Sequence, residues 1–152
     1  MRDAIESYGT LANATISLAV KATDYYAGGS LGTAYIDLGT ITSTSRFTFH
    51  TLFNGLYSVW RALSTFNVAD TITPFLYQAA NVTFNSGQEK AAIYPTTVVG
   101  TAWPIGTEWR HRAPENVKRF IVHGATADSS GTYTATTVEA YFEEGARQGQ
   151  TL

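Results

Sequence analysis

The segment Thr132–Phe142, TYTATTVEAYF, is the longest strand-type stretch in the chain and indicates an all-β fold. Threonine, tyrosine and valine are β-branched or aromatic, and such side chains pack well on a pleated, half-buried surface. Glu139 alternates with Val138 and Ala140 along the segment, so we expect the Glu139 side chain to face solvent. The segment therefore predicts a strand with one buried and one solvated face.

Similar segments, with apolar and polar side chains in a two-residue alternation, lie on either side along the rest of the chain. Asn54-Gly55 separates two of them and is a strong tight-turn signal, because both positions tolerate positive φ. Pro74 interrupts another and predicts an edge strand or a bend, since proline cannot donate to a ladder. The predicted strands are Ala14–Val20, Tyr35–Leu38, Arg46–Phe53, Leu56–Leu63, one extended piece made of Asp70–Thr73 and Phe75–Tyr77 around Pro74, Asn81–Phe84, Val117–His123, which ends at Gly124, and Thr132–Phe142.

The strand count and spacing predict one all-β domain over residues 1–152. About eight antiparallel strands at intervals of roughly 10–15 residues, with turns between them, are typical of a β-sandwich or barrel. A length of 152 residues and a mass of 16.5 kDa fit a single domain. We expect a loose N-terminal arm over about residues 1–12 and a polar C-terminal tail over about residues 143–152, ordered only when a partner holds them.

The composition excludes several classes of function. Charged residues make up 14% of the chain, against about 25% in a typical domain. The net charge of −2 gives no basic field, so no nucleic-acid partner is expected. With no cysteine, disulfides, thiolate metal sites and a cysteine nucleophile are excluded. No apolar run long enough for a membrane span and no secretory signal are visible, which predicts a soluble protein made in the cytoplasm, with no membrane partner.

The sequence offers no pattern typical of a catalytic or metal site. His50, His111 and His123 lack the spacing of a metal-binding motif, and the arginines beside His111 would repel a cation. No serine lies in the sharp-turn motif of a hydrolase. We therefore predict no enzymatic activity, no catalytic residues, no metal and no cofactor.

The segment Trp103–Arg112 is the strongest candidate for a binding site. It carries two tryptophans and two arginines within Thr96–Pro114, a stretch punctuated by glycine and proline that we interpret as a long loop with a short strand near Val98-Val99. Three interpretations are open: tryptophans that cap the core, a protein–protein contact, or a platform for sugar rings. Tryptophan and arginine are the residues that most often anchor interfaces, and long loops in compact domains are usually functional. Trp60 alternates with Arg61 in a predicted strand and is expected in the core.

An ordered set of short segments resembles a known family. The segments are Ile36–Gly39, a hairpin of aromatic strands, Pro74–Ala80, Phe84–Gly87, Arg119–Val122, and Gly131–Ala135 followed by Val138–Ala140, and together they cover roughly residues 34 to 142. In this order they are similar to the small capsid cement, or decoration, proteins of short-tailed bacteriophages. The resemblance implies a jelly-roll-like β-sandwich that binds the outer face of an icosahedral capsid and has no catalytic residues. The tryptophan-rich 103–112 segment and a longer N-terminal segment depart from the family.

The resemblance implies a structural virion protein that stabilises the capsid exterior by bridging major capsid subunits. Its expected partners are the major capsid protein and a second or third copy of itself, as a homodimer or homotrimer. One alternative is a carbohydrate-binding β-sandwich module, which predicts a row of exposed tryptophan faces and a calcium requirement. Another is a different phage component, such as a tail or head-completion protein. The residues predicted to contact the capsid or another partner are Trp103, Trp109, Arg110, Arg112, Met1, Arg2 and Asp3.

Overall fold

The computed structural model describes residues 8–20, 22–37, 56–66, 71–96, 103–114, 117–127 and 136–144. The predicted turn at Asn54-Gly55 and the strand predicted near Val98-Val99 lie outside these ranges. Within them the chain forms a single helical turn, α1, and a series of strands. The elements are α1 (Leu11–Ala14), β1 (Thr15–Leu18), β2 (Asp24–Tyr26), β3 (Ile36–Asp37), β4 (Leu56–Ala62), β5 (Ile72–Ala79), β6 (Glu89–Ile93), β7 (Glu108–Arg112), β8 (Phe120–Ala127) and β9 (Thr136–Glu144).

The strands form two antiparallel sheets that pack as a sandwich. The four-stranded sheet has the order β1-β9-β4-β7, and the five-stranded sheet has the order β2-β8-β5-β6, with β3 pairing with β8 beside β2. Apart from β3 the pairing is nested: β1 pairs with β9, β2 with β8, β4 with β7, and β5 with β6. Nested antiparallel pairs split between two sheets are the topology of a jelly roll. The structure thus confirms the predicted jelly-roll-like β-sandwich.

The core fills the space between the two sheets. Trp60 of β4 is fully buried, as predicted, and its Nε1 donates a 3.0 Å hydrogen bond to the carbonyl oxygen of Gly124 in the opposite sheet. Every second residue of a strand points inward, so β9 contributes Val138, Ala140 and Phe142, which are all buried. Ile16 and Leu18 of β1 pair with the same face of β9 and are buried as well. The outward-pointing Glu139 and Tyr141 of β9 are buried as well, so the prediction of one buried and one solvated face is wrong for this strand.

β8 passes through Gly124 instead of ending there, which corrects the predicted end of this strand. Phe75 lies directly opposite Gly124 in the neighbouring strand β5. A Cβ atom at position 124 would come within 2.3 Å of the Phe75 ring and 2.9 Å of the carbonyl oxygen of Tyr25. A glycine inside a strand often marks such a close approach. Gly124 is therefore required by the packing of Phe75 and is not a turn residue.

Pro74 lies in an inner strand, so the prediction of an edge strand is wrong. β5 runs unbroken from Ile72 to Ala79 between β8 and β6. The Pro74 carbonyl accepts a 2.9 Å hydrogen bond from the Tyr94 amide, one residue beyond the end of β6. Because the N–H and C=O of a strand residue point to the same neighbour, the missing N–H of Pro74 faces the end of β6. The proline therefore costs little pairing at this position.

The segment Asn81–Phe84, predicted as a strand, is part of the turn between β5 and β6. Phe84 has a φ of 52°, and the Asn81 side-chain oxygen accepts a hydrogen bond from the Asn85 amide. Asparagine side chains that bond to nearby backbone groups in this way favour turns over strands. The strand that follows, Glu89–Ile93, was not predicted.

The two ends of the described chain belong to the domain. Tyr8 is only 7% exposed and packs in the core, and α1 follows it. At the other end β9 includes Glu143 and Glu144. The predicted arm and tail therefore do not include residues 8–12 or 143–144, and the rest of both segments lies outside the described residues.

Candidate functional site

Trp109, Arg110 and Arg112 lie on strand β7, so the prediction of a loop is wrong for Glu108–Arg112. β7 pairs with β4, in the register Trp60 with Trp109 and Val59 with Arg110, and is an outer strand of the four-stranded sheet. Since Trp60 points into the core, Trp109 points inward, whereas Arg110 and Arg112 point outward. The structure therefore separates the tryptophan from the two arginines onto opposite faces of one strand.

Trp103 and Trp109 pack against the core from the end of β7. Their ring centroids are 5.8 Å apart in an edge-to-face arrangement, and Trp109 also lies 5.4 Å from the Phe66 ring. Both indole nitrogens are buried and, among the described residues, have no hydrogen-bond partner. Half-buried and mutually packed, the two tryptophans do not form an exposed row of ring faces on the described surface.

Arg110 and Arg112 are exposed on the outer face of the four-stranded sheet, which we call the arginine face. The Arg110 guanidinium forms an ion pair with Glu143 of β9 and lies 4.6 Å from the centre of the Tyr57 ring. The Arg112 carbonyl accepts a hydrogen bond from the Tyr94 hydroxyl at 2.9 Å. The face thus presents two cationic side chains, of which the Arg110 guanidinium is paired with Glu143 and Arg112 stands on a carbonyl bonded by Tyr94.

Glu139 lies on the same arginine face but is only 7% exposed, so the expectation that it faces solvent is wrong. Its carboxylate accepts a 3.1 Å hydrogen bond from Arg61. Nearby, the Tyr141 hydroxyl donates to Glu108 at 3.2 Å, and burial together with the charge of Glu108 raises the pKa of Tyr141. The carboxylates of Glu108, Glu139 and Glu143 therefore lie near Tyr141, which stays protonated.

A second surface lies on the outer face of the five-stranded sheet. It consists of Tyr26 of β2 with Phe75 and Tyr77 of β5, which together we call the tyrosine face. Tyr26 meets Phe75 and Tyr77 edge to face, with centroid distances of 5.7 and 5.6 Å. The tyrosines are half-buried, whereas Phe75 is fully buried beneath its neighbours. The sequence carried a signal for this surface, because Phe75 and Tyr77 are two residues apart and so share one face of a strand.

Polar side chains border the tyrosine face. Lys90 of β6 passes over the Phe75 ring, with its Nζ 4.3 Å from the ring centre, and reaches Asp24 of β2 at 2.9 Å. Asp24 also accepts a 2.6 Å hydrogen bond from Thr126 of β8. Partial burial works against ionisation of Asp24, but the hydrogen bonds from Thr126 and Lys90 outweigh it and lower its pKa. The border is therefore a lysine–aspartate pair whose two charges balance.

The interior also contains a polar group, the buried His123. The Tyr8 hydroxyl lies 2.6 Å from His123 Nδ1 and accepts a 2.8 Å hydrogen bond from the His123 backbone N–H. Burial lowers the pKa of His123 to about 3 and raises that of Tyr8, so both are neutral at physiological pH. His111 stacks on Tyr94 at 4.6 Å between ring centroids, and burial lowers its pKa too. Both histidines are structural in this arrangement.

The other candidate residues named from the sequence lie outside the part of the chain that the structure describes. His50, Met1, Arg2 and Asp3 lie outside the described residues. Across the ranges that the structure describes, no group of three or more His, Cys, Asp or Glu side chains is placed to hold a metal ion. No helix in the described part of the chain is long and apolar enough to cross a membrane.

Two surfaces thus stand out on opposite sides of the sandwich, the arginine face with Arg110 and Arg112, and the tyrosine face with its charged border. Comparisons with protein-family models, with curated proteins and with solved structures found no match to this chain.

Proposed function

We propose that this chain is a structural virion protein that binds the outer surface of a phage capsid and stabilises it by bridging major capsid subunits. The observation that carries the proposal is the nested jelly-roll pairing of the strands, since that fold is what the resemblance to capsid cement proteins implies. The mechanism is passive. A protein that binds the assembled lattice but not the separated subunits lowers the free energy of the lattice by mass action.

The arginine face is the surface we assign to the capsid. Arg110 and Arg112 are exposed there, and arginine is enriched where proteins contact one another. Trp103 and Trp109 support β7 from behind because they are half-buried against Phe66 and each other. In the proposal the arginines touch the shell, and the tryptophans hold the strand that presents them. We also keep the proposal of a second contact with the capsid, formed by Met1, Arg2 and Asp3.

The low charge of the chain suits a protein that makes many contacts with a shell. Each charge that is buried at an interface loses hydration, and this penalty offsets much of the attraction it gains. With 14% charged residues, few such penalties arise. Among the described charges, Arg61 and Glu139 already form an ion pair on the arginine face.

The test is co-sedimentation of the purified protein with capsids stripped of their decoration. We expect saturable binding at a fixed ratio to shell subunits. Arg112→Glu should weaken binding about tenfold or more, since a lost interfacial anchor costs at least about 1.4 kcal/mol. Arg119→Glu reverses an exposed charge that pairs with Asp37 beside the other sheet. It is the control and, once the variant is shown to be folded, should bind within about twofold of the original chain.

Two results would contradict the proposal at different levels. If the protein does not bind stripped capsids at any ratio, the cement function is wrong, and a carbohydrate-binding module or a ring-forming tail or head-completion protein takes its place. If it binds but Arg112→Glu and Arg119→Glu behave alike, the assignment of the arginine face is wrong. Sedimentation of the free protein separates a homodimer from a homotrimer.

A further inference from the structure

We infer that the tyrosine face binds the pyranose rings of a neutral oligosaccharide. This site is separate from the tryptophans of the 103–112 segment and does not depend on capsid binding. The inference rests on the combination of half-exposed aromatic rings, a charged border with unused hydrogen-bonding capacity, and the absence of net charge in that border.

The aromatic part of the site is rigid. Tyr26 of β2 and Tyr77 of β5 lie on either side of β8 in one sheet. The edge-to-face contacts of Tyr26 with Phe75 and with Tyr77, at interplanar angles of 81° and 77°, fix the directions of the rings. Tyr77 is also supported by Phe84, whose ring centre lies 6.3 Å away. A pyranose ring has an apolar face of C–H bonds that stacks on aromatic rings, and a preformed platform loses little entropy on binding.

The polar border can form further hydrogen bonds with a ligand. A carboxylate offers about four lone-pair sites and an ammonium group three N–H bonds. Asp24 accepts from Thr126 and Lys90, which leaves acceptor sites for sugar hydroxyls, and Lys90 retains donors beyond its bond to Asp24. Within the described residues no hydrogen bond is formed to the hydroxyl of Tyr26 or of Tyr77. A few placed polar groups beside an apolar platform are typical of small-ligand sites.

The charge of the border selects a neutral ligand. The Lys90–Asp24 pair cancels its own charge, so the face does not attract a polyanion, and Asp24 would repel one at close range. A purely apolar partner would remove the water from Asp24 and Lys90, each about one-third exposed, without replacing their hydrogen bonds. A ligand with hydroxyl groups meets both requirements, because it stacks on the rings and bonds to the border.

The site is placed so that it can be used while the arginine face is occupied. Tyr77 points outward from the five-stranded sheet, and Arg112 points outward from the four-stranded sheet on the other side of the sandwich. A protein that binds a shell through its arginine face would present its tyrosine face to the medium.

Titration calorimetry with maltohexaose, cellohexaose and chitohexaose tests the inference. We expect at least one hexasaccharide to bind, Tyr77→Ala to weaken that binding about tenfold or more, and Tyr77→Phe, which keeps the ring, to stay within about threefold. Tyr57→Ala removes a half-buried tyrosine from the arginine face and is the matched control, with affinity unchanged. Capsid co-sedimentation of Tyr77→Ala should be unchanged although its sugar binding is weakened, which separates this inference from the proposed function.

Lys90→Met keeps the inference testable if Tyr77→Ala does not fold. Methionine retains the apolar cover over Phe75 but removes the ammonium group, so binding should weaken several-fold while the fold is preserved. The inference is overturned if none of the three hexasaccharides binds at millimolar concentration. It is also overturned if folded Tyr77→Ala and Lys90→Met bind as tightly as the original chain.

Discussion

His123 illustrates how a single residue couples the fold to pH. His123 Nδ1 lies 2.6 Å from the Tyr8 hydroxyl, and that hydroxyl accepts a hydrogen bond from the His123 backbone N–H. Nε2 is buried and, within the described residues, has no hydrogen-bond partner. Protonation would add a charge at the centre of the sandwich, between Trp60 and Phe142. Burial therefore lowers the pKa of His123 to about 3 from the ordinary value of 6.5.

This lowered pKa predicts acid-sensitive stability. Below pH 6.5 the unfolded chain binds a proton at His123 and the folded chain does not, until the pH approaches 3. The free energy of unfolding should therefore fall as the pH falls, by up to about 1.4 kcal/mol per pH unit from this group. Urea unfolding at a series of pH values between 6.5 and 5 measures the slope.

Replacement of each histidine in turn identifies the source of this slope. His123→Gln should remove most of the pH dependence. His111→Gln is the control and should retain most of it, because His111 is only partly buried and its lowered pKa adds a smaller effect of the same sign. Equal slopes in His123→Gln and the original chain would contradict the assignment to His123.

Sequence reasoning at the residue scale succeeded for Trp60 and failed for Glu139. Both predictions used the alternation of side chains along a strand, and both residues lie on the expected faces. Trp60 is buried because its face meets the other sheet. Glu139 is buried as well, although it points outward, and it pairs with Arg61 of the neighbouring strand. Which side chain pairs with a charged residue on the neighbouring strand depends on the register of the two strands. The sequence of one strand does not give that register.

At the scale of elements, β7 and β6 were missed for different reasons. β7 does alternate, with charged Glu108, Arg110 and Arg112 separated by Trp109 and His111. The surrounding glycine and proline concealed this signal. β6 is Glu89–Ile93, EKAAI, and most of these residues favour helices. It is a strand because the turn that begins at Asn81 folds it back onto β5, and such tertiary pairing overrides intrinsic preference.

The alternation of β7 predicts that its inward and outward side chains serve different purposes. Trp109→Ala should lower the free energy of unfolding by about 2 kcal/mol or more, because it removes contacts with Phe66 and Trp103. Arg112→Ser should change it by no more than about 0.5 kcal/mol, as is usual for exposed positions. Chemical denaturation measures both. If the two variants lose the same stability, Trp109 does not support β7 as described.

For the whole molecule, the all-β class and the jelly-roll sandwich were predictable from turn spacing and from the resemblance, whereas the tyrosine face was not. Phe75 and Tyr77 were visible as neighbours on one strand, but Tyr26 and Lys90 join them only through the pairing of β2 with β8 and of β5 with β6. Contacts between residues far apart in sequence require the strand order, which local patterns do not contain.

The opposite placement of the two faces makes a prediction for the assembled particle. Capsid-bound protein should bind the preferred hexasaccharide with the same affinity as the free protein, within about twofold, because neither face blocks the other. Calorimetry with decorated and stripped capsids measures this difference. Sugar binding that disappears on decorated capsids would mean that the shell covers the tyrosine face.

The nested pairing also fixes the order in which the chain can complete its fold during synthesis. β5 and β6 are adjacent in sequence and can pair as soon as both have left the ribosome. β1 emerges early, whereas its partner β9 is the last of the described strands. β9 lies between β1 and β4 and pairs with both. Closing so long a loop is slow. Until β9 emerges, the edges of β1 and β4 that it will cover stay open to strands of other nascent chains.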